Sequence, residues 1–240
     1  GPLSEGLPGP LRAYIAAVRA CNAALHRHHH GGAAEPPDAL RYYPGSPALA
    51  RQWLRCQAPD AGTCFETSRS VHGELQRSLG ALASEGGAEV EALREDAYRG
   101  LRDISRFAGD RGLVFLDPPY ELSFADHLNM ALLAHLRQHW PASCAALWYP
   151  VRDDARTARV YRWVQSLDLG PVLVAEFEVG RLSSVGGDPS RLPRRPVKSG
   201  MLIARPPPGV DEELRSLLPV LGSLLAPSPC TDAGGTVFWL

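Results

Sequence analysis

The chain has 240 residues, 45% hydrophobic and 21% charged, a globular composition with length for one sizeable α/β domain. A formal net charge of -1 excludes arguing for a nucleic-acid partner from overall charge, so such a partner needs a local basic patch. No apolar run approaches the ~20 residues of a bilayer span, and five scattered cysteines without a CxxC pair exclude a disulfide framework or a zinc site.

Residues 1–9 read as loop, and apolar positions Leu11, Ile15, Val18 and Leu25 predict a helix over 10–25. Residues 26–37, HRHHHGGAAEPP, read as a low-complexity loop without a metal role. RYYPGSP (41–47) makes a turn, with Ser46 and Pro47 opening a helix to about Cys56. A short strand, 62–67, ends in Glu66, and a helix follows over 68–83. Residues 90–95 form a weak strand before Asp96, and 97–106 read as helical. LVFLDPPYE (113–121) carries a strand, 112–117, to an abrupt stop. The remaining elements are a helix 125–138, a strand 144–151, a helix 153–167, strands 172–179 and 200–205, a helix 210–225 and an apolar piece 236–240.

Strands alternating with helices predict a Rossmann-like α/β sheet, mostly parallel. The late strands 172–179 and 200–205, joined without a helix, predict an antiparallel edge pair. One domain is expected over 1–240, with 26–40 as a low-complexity insertion and 180–198 as a basic loop.

In open α/β sheets, ligands bind beyond the carboxyl ends of the strands, which is where Asp117 falls. Pro118 and Pro119 fix φ and stiffen the turn. The Asp117 carboxylate and the Pro118 carbonyl are then two rigid acceptors beside the Tyr120 ring. That set suits a planar group bearing an –NH₂. Paired acceptors localise the lone pair of an adenine amine, and an aromatic face holds the base. Tyr149, at another strand tip, is open between lining a base pocket and plain packing; Trp148 is expected to face the core. The loop 180–198 carries Arg181, Arg191, Arg194, Arg195 and Lys198 against Asp188, a local positive excess suited to phosphate oxygens.

Asp117-Pro118-Pro119-Tyr120 resembles the motif of amino-methyltransferases that use S-adenosyl-L-methionine. With RYYPGSP, LWYPV (147–151) and SGMLIARPP (199–207) in this order, the chain resembles the bacterial-type 23S ribosomal RNA adenine-N6 methyltransferase J family from about residue 10 to the end. The resemblance implies a class I methyltransferase fold acting as a cytoplasmic monomer on large-subunit ribosomal RNA. It implies Asp117 as the catalytic acceptor, Pro118 as the second acceptor and Tyr120 as the stacking face. It also implies cofactor contacts at Ser46, Glu66 (ribose hydroxyls), Asp96 (adenine amine) and Asp117. Where the family has Asp-Gly this chain has Asp96-Ala97, and the Ala97 methyl narrows the implied adenine pocket.

The family's first strand and glycine-rich cofactor loop are not seen in the sequence, which starts at Gly1. The expectation is a fragment, or a short form with weak cofactor binding and exposed apolar surface. The rival readings are an adenine-N6 DNA methyltransferase and a catalytically silent RNA-binding relative.

Overall fold

The computed structural model describes residues 6–30, 39–55, 60–83, 88–107, 111–120, 125–179, 198–226 and 233–240. The chain forms two compact units, Gly1–Leu101 and Arg102–Leu240.

The first unit contains α1 (Gly9–His30), α2 (Ser46–Trp53), β1 (Ala61–Phe65), α3 (Arg69–Ala83), β2 (Glu89–Leu93) and α4 (Ala97–Gly100). β1 and β2 pair in parallel, from Ala61↔Glu89 to Phe65↔Leu93, with α3 as the crossover that parallel neighbours require. Cys21, Ala24 and Leu25 of α1 pack with Ala48 of α2 and Ala81 and Leu82 of α3; Tyr42 covers the cluster. Buried Asn22 accepts the Arg41 and Tyr42 N–H groups at 3.0 and 2.9 Å, fixing the start of RYYPGSP to α1.

α1 runs further than hydrophobic spacing indicates. Residues 26–30, expected in a loop, continue the helix. Arg27, His28, His29 and His30 occupy its last turn, where the helix dipole favours cations. The His29 ring also stacks on Tyr42, centroids 5.2 Å apart.

The helix expected over 97–106 divides into α4 and a 3-10 turn at Ile104–Arg106. Two aspartates capping successive short segments break it: Asp96 accepts from the Arg99 N–H and Asp103 from the Ser105 N–H.

The second unit holds β3 (Leu113–Leu116), α5 (Ala125–His139), β4 (Cys144–Val151), α6 (Asp154–Ser166), β5 (Val172–Glu178), β6 (Lys198–Ala204), α7 (Val210–Leu225) and β7 (Gly234–Trp239). Its five strands are ordered β3-β4-β6-β5-β7. Only β3–β4 is parallel; β4–β6, β6–β5 and β5–β7 are antiparallel.

The α/β class therefore stands, but this sheet is not mostly parallel, and the antiparallel pair is not at its edge. β5 returns through α6 to run like β4 but leaves one strand position between them. β6 follows β5 without a helix, so it must run antiparallel, and it fills that position. β7 then occupies the outer edge beside β5.

β4 and β5, covered on both sides, read as continuous apolar runs: Ala145–Leu147 and Val172–Ala175 are buried. Met130, Leu133 and Leu136 of α5 and Val164 of α6 complete the core. β3 alternates instead, with Val114 and Leu116 buried while Leu113 and Phe115 are 67% and 46% exposed.

Among the described residues no helix is long and apolar enough to cross a membrane, and no group of three or more His, Cys, Asp or Glu could hold a metal ion. Cys21, Cys64 and Cys144 are free thiols, and burial pushes each thiol pKa up, away from the reactive thiolate. Cys56 and Cys230 lie outside the described residues.

Candidate active site

β3 stops at Leu116, opposite Leu147 of β4, so Asp117 begins its turn at the level of Trp148. Asp117 is exposed. The protein around its carboxyl still withdraws enough water to raise the pKa above the ordinary aspartate value. A carboxylate that is reachable and more basic than usual is suited to accept a proton.

Tyr120, which closes the turn, is not an open ring. It is 7% exposed, and its hydroxyl donates to the Trp148 carbonyl at 2.7 Å. Asn129 Nδ2 donates to the same hydroxyl at 3.3 Å. The Arg156 guanidinium carbon lies 5.8 Å from the Tyr120 ring centroid, over its face, and the Trp148 ring is tilted against it at 5.8 Å. The expected open stacking face is thus largely covered, because β4, α5 and α6 converge on this ring.

Of the two aromatic residues of LWYP, Trp148 does not face the core as expected, and Tyr149, open between two readings, takes the packing one. Trp148 is half-buried and keeps company with Tyr120. Tyr149 is 6% exposed and points to the opposite face, as strand alternation requires. Its hydroxyl donates to Glu176 Oε1 at 3.1 Å and contacts the Tyr161 hydroxyl at 2.8 Å. Tyr161 also donates to Glu176 Oε1.

Lys198 belongs to this cluster as well. Its ammonium lies 2.6 Å from Glu176 Oε2. Expected as a phosphate contact, it is committed to a buried carboxylate. Burial alone would push the Glu176 carboxyl up. The Lys198 ammonium and the two tyrosine hydroxyls outweigh burial and hold it below the usual glutamate range, while burial and the Glu176 carboxylate push both tyrosines up. Arg181, Arg191, Arg194 and Arg195 lie outside the described residues.

The other expected site residues belong to the first unit. Glu66 follows β1 directly, and Asp96 follows β2 after a short turn; the Phe65↔Leu93 register puts both at the carboxyl end of that parallel pair. Glu66 accepts the Ser68 N–H at 2.7 Å through Oε1, which holds its side chain in place. Asp96 caps α4 through the Arg99 N–H at 3.0 Å, and Ala97 is the first residue of that helix. Ser46 is the exposed first residue of α2, whose N-cap is Gly45 rather than Ser46.

A family model described as ribosomal RNA large subunit methyltransferase D, RlmJ, matches residues 4–240. The chain belongs to this ribosomal RNA large subunit methyltransferase family. It is 29% identical to ribosomal RNA large subunit methyltransferase J of Escherichia coli (strain K12) over 236 residues, covering 98% of this chain and 74% of that protein. It is 25% identical to the protein of the same name from Haemophilus influenzae over 234 residues, covering 98% and 73%. The crystal structure of protein LPL1258 from Legionella pneumophila shares the fold, with a TM-score of 0.72 at 21% identity, covering 98% of this chain and 75% of that one.

In this methyltransferase family member, sequence reasoning singled out Asp117 and its turn but not Asn129, Arg156 and Glu176, which contact Tyr120 and Tyr149. Only Asn129 left a signal: it is a polar residue on the apolar stripe of α5, between Leu128 and Leu133.

Proposed function

We propose that this member of the ribosomal RNA large subunit methyltransferase family transfers a methyl group from S-adenosyl-L-methionine to the N6 amine of an adenine in large-subunit ribosomal RNA. The observation that carries the reading is Asp117: an exposed carboxylate of raised basicity at the carboxyl end of a strand, in a turn stiffened by two prolines.

The donors at the ends of β1 and β2 fit the cofactor. Glu66 presents a carboxylate suited to ribose hydroxyls, Asp96 an acceptor suited to the adenine amine, and Ser46 and Ala97 are the further contacts. When bound, S-adenosyl-L-methionine supplies a methyl group made electrophilic by its sulfonium.

Asp117 and the Pro118 carbonyl accept the two hydrogens of the target amine. That holds the nitrogen pyramidal and localises its lone pair for attack. As the nitrogen gains its methyl group it becomes acidic, and the Asp117 carboxylate takes the proton. Arg181, Arg191, Arg194 and Arg195 are the proposed phosphate contacts. Ribosomal RNA as substrate supports a cytoplasmic site of action, and a monomer is part of the same proposal.

The test is methyl transfer by the full-length protein to unmodified large-subunit ribosomal RNA, with an adenine-containing DNA duplex alongside. Asp117→Asn is expected to lower kcat by about 10² to 10⁴ while S-adenosyl-L-methionine affinity falls only modestly. The base must be ionised, so activity should fall as pH drops through the Asp117 pKa. With that pKa raised, the acid limb of kcat/KM should lie above the ~3.9 of a free aspartate. Wild-type turnover in Asp117→Asn removes the role given to Asp117; methylation of DNA alone removes the RNA assignment.

A further inference from the structure

Asn129 is 0% exposed on the apolar face of α5, beside Met130, Leu132 and Leu133. A carboxamide buried without hydrogen bonds costs roughly 1–3 kcal/mol, so a polar residue here calls for a partner. One such partner is the Tyr120 hydroxyl, which accepts from Asn129 Nδ2 at 3.3 Å and donates its own hydrogen bond to the Trp148 carbonyl at 2.7 Å. This buried chain runs from α5 through the turn to β4.

The ring is held as firmly as the hydroxyl. Arg156 of α6 lies over it, and Asp126 of α5 grips that guanidinium with hydrogen bonds of 2.9–3.0 Å. Trp148 closes another side.

Between this fixed tyrosine and Asp117 stand only Pro118 and Pro119, whose φ angles are locked by their rings. The far end of the lever is tied too, because Leu116 pairs with Leu147 in the sheet. A shift of the Tyr120 hydroxyl is therefore transmitted along a stiff segment to the Asp117 carboxylate and the Pro118 carbonyl.

We propose that Asn129 is a positioning residue that acts through the Tyr120 hydroxyl, holding Asp117 and Pro118 in the geometry that receives the target amine. The inference rests on the methyl-transfer reading above and adds to it a role for the Tyr120 oxygen. Misplacing reacting groups by about 1 Å costs on the order of a hundredfold in rate.

The experiment compares the full-length wild type with Asn129→Ala, Tyr120→Phe and the double variant. It measures methyl transfer to unmodified large-subunit ribosomal RNA, S-adenosyl-L-methionine binding by calorimetry, and the Asp117 carboxyl titration by NMR. Each single variant should lower kcat ten- to a hundredfold. KM for S-adenosyl-L-methionine should be unchanged, and Asp117 should titrate at lower pH as water reaches it. The double variant should be no slower than the worse single one, because both break one chain. If Asn129→Ala fails to fold, Tyr120→Phe, which removes a single oxygen, decides alone. Wild-type kcat in Tyr120→Phe overturns the inference. A wild type inactive on RNA overturns the functional reading instead. In that case the NMR titration still decides the coupling, and an Asp117 unmoved in Asn129→Ala ends it.

Discussion

Lys198 is the single lysine of the chain, and its ammonium is held by Glu176 at 2.6 Å. In the sequence it closes a basic loop, and nothing in VLVAEFEV says that Glu176 is 6% exposed while its neighbours in the run lie in a sheet interior. A strand carboxylate is ordinarily solvated; only the return of β6 beside β5 brings the lysine that makes burial tolerable. The Lys198→Met protein should lose about 2 kcal/mol, less than the ~3–5 kcal/mol of a fully buried pair because Lys198 is partly open to solvent. Urea unfolding checks this; an undiminished midpoint with weakened RNA binding would return Lys198 to the phosphate contacts. The pH dependence has a definite sign. Glu176 has a lowered pKa when folded, so its contribution is complete above the ordinary glutamate value of ~4.3 and is lost as pH falls through the folded value. In Lys198→Met burial is less opposed and the folded Glu176 pKa rises, so that acid loss should shrink or reverse.

Elements show a similar division. β4 and α7 are legible to the residue, because a continuous apolar run and an amphipathic 3.6-residue period are local patterns. The last turn of α1 is not, since a run of histidines has no apolar period and is stabilised by the helix dipole and by Tyr42 from a distant turn. The SGMLIAR strand contains a further hidden constraint. Gly200 pairs with Tyr149 on one side and Glu176 on the other, and a Cβ at position 200 would overlap the Tyr149 ring. Tyr149 cannot swing aside without abandoning Glu176 and Tyr161. Gly200→Ala should therefore destabilise by about 1–3 kcal/mol, read as a lower urea midpoint with unchanged m-value. A midpoint equal to wild type would show that the ring has room to move.

For the whole molecule, the feature with a measurable consequence is β3. It forms the edge of the five-stranded sheet, and it presents Leu113 and Phe115 at 67% and 46% exposure. Exposed apolar side chains on an edge strand favour pairing with other chains. Replacing both by threonine should reduce loss to aggregates when the 240-residue chain is heated, measured by light scattering; equal scattering would place the association elsewhere. The sequence by itself determined the α/β class, the order of helices and strands, and the Asp117-Pro118-Pro119-Tyr120 corner, because each depends on residues adjacent in the chain. Tertiary structure alone decided that β6 enters between β4 and β5, that Tyr120 is covered while Trp148 is half open, and that Lys198 belongs to Glu176. Those outcomes depend on groups far apart in sequence, and burial and strand direction bring them together only once the sheet has closed around them.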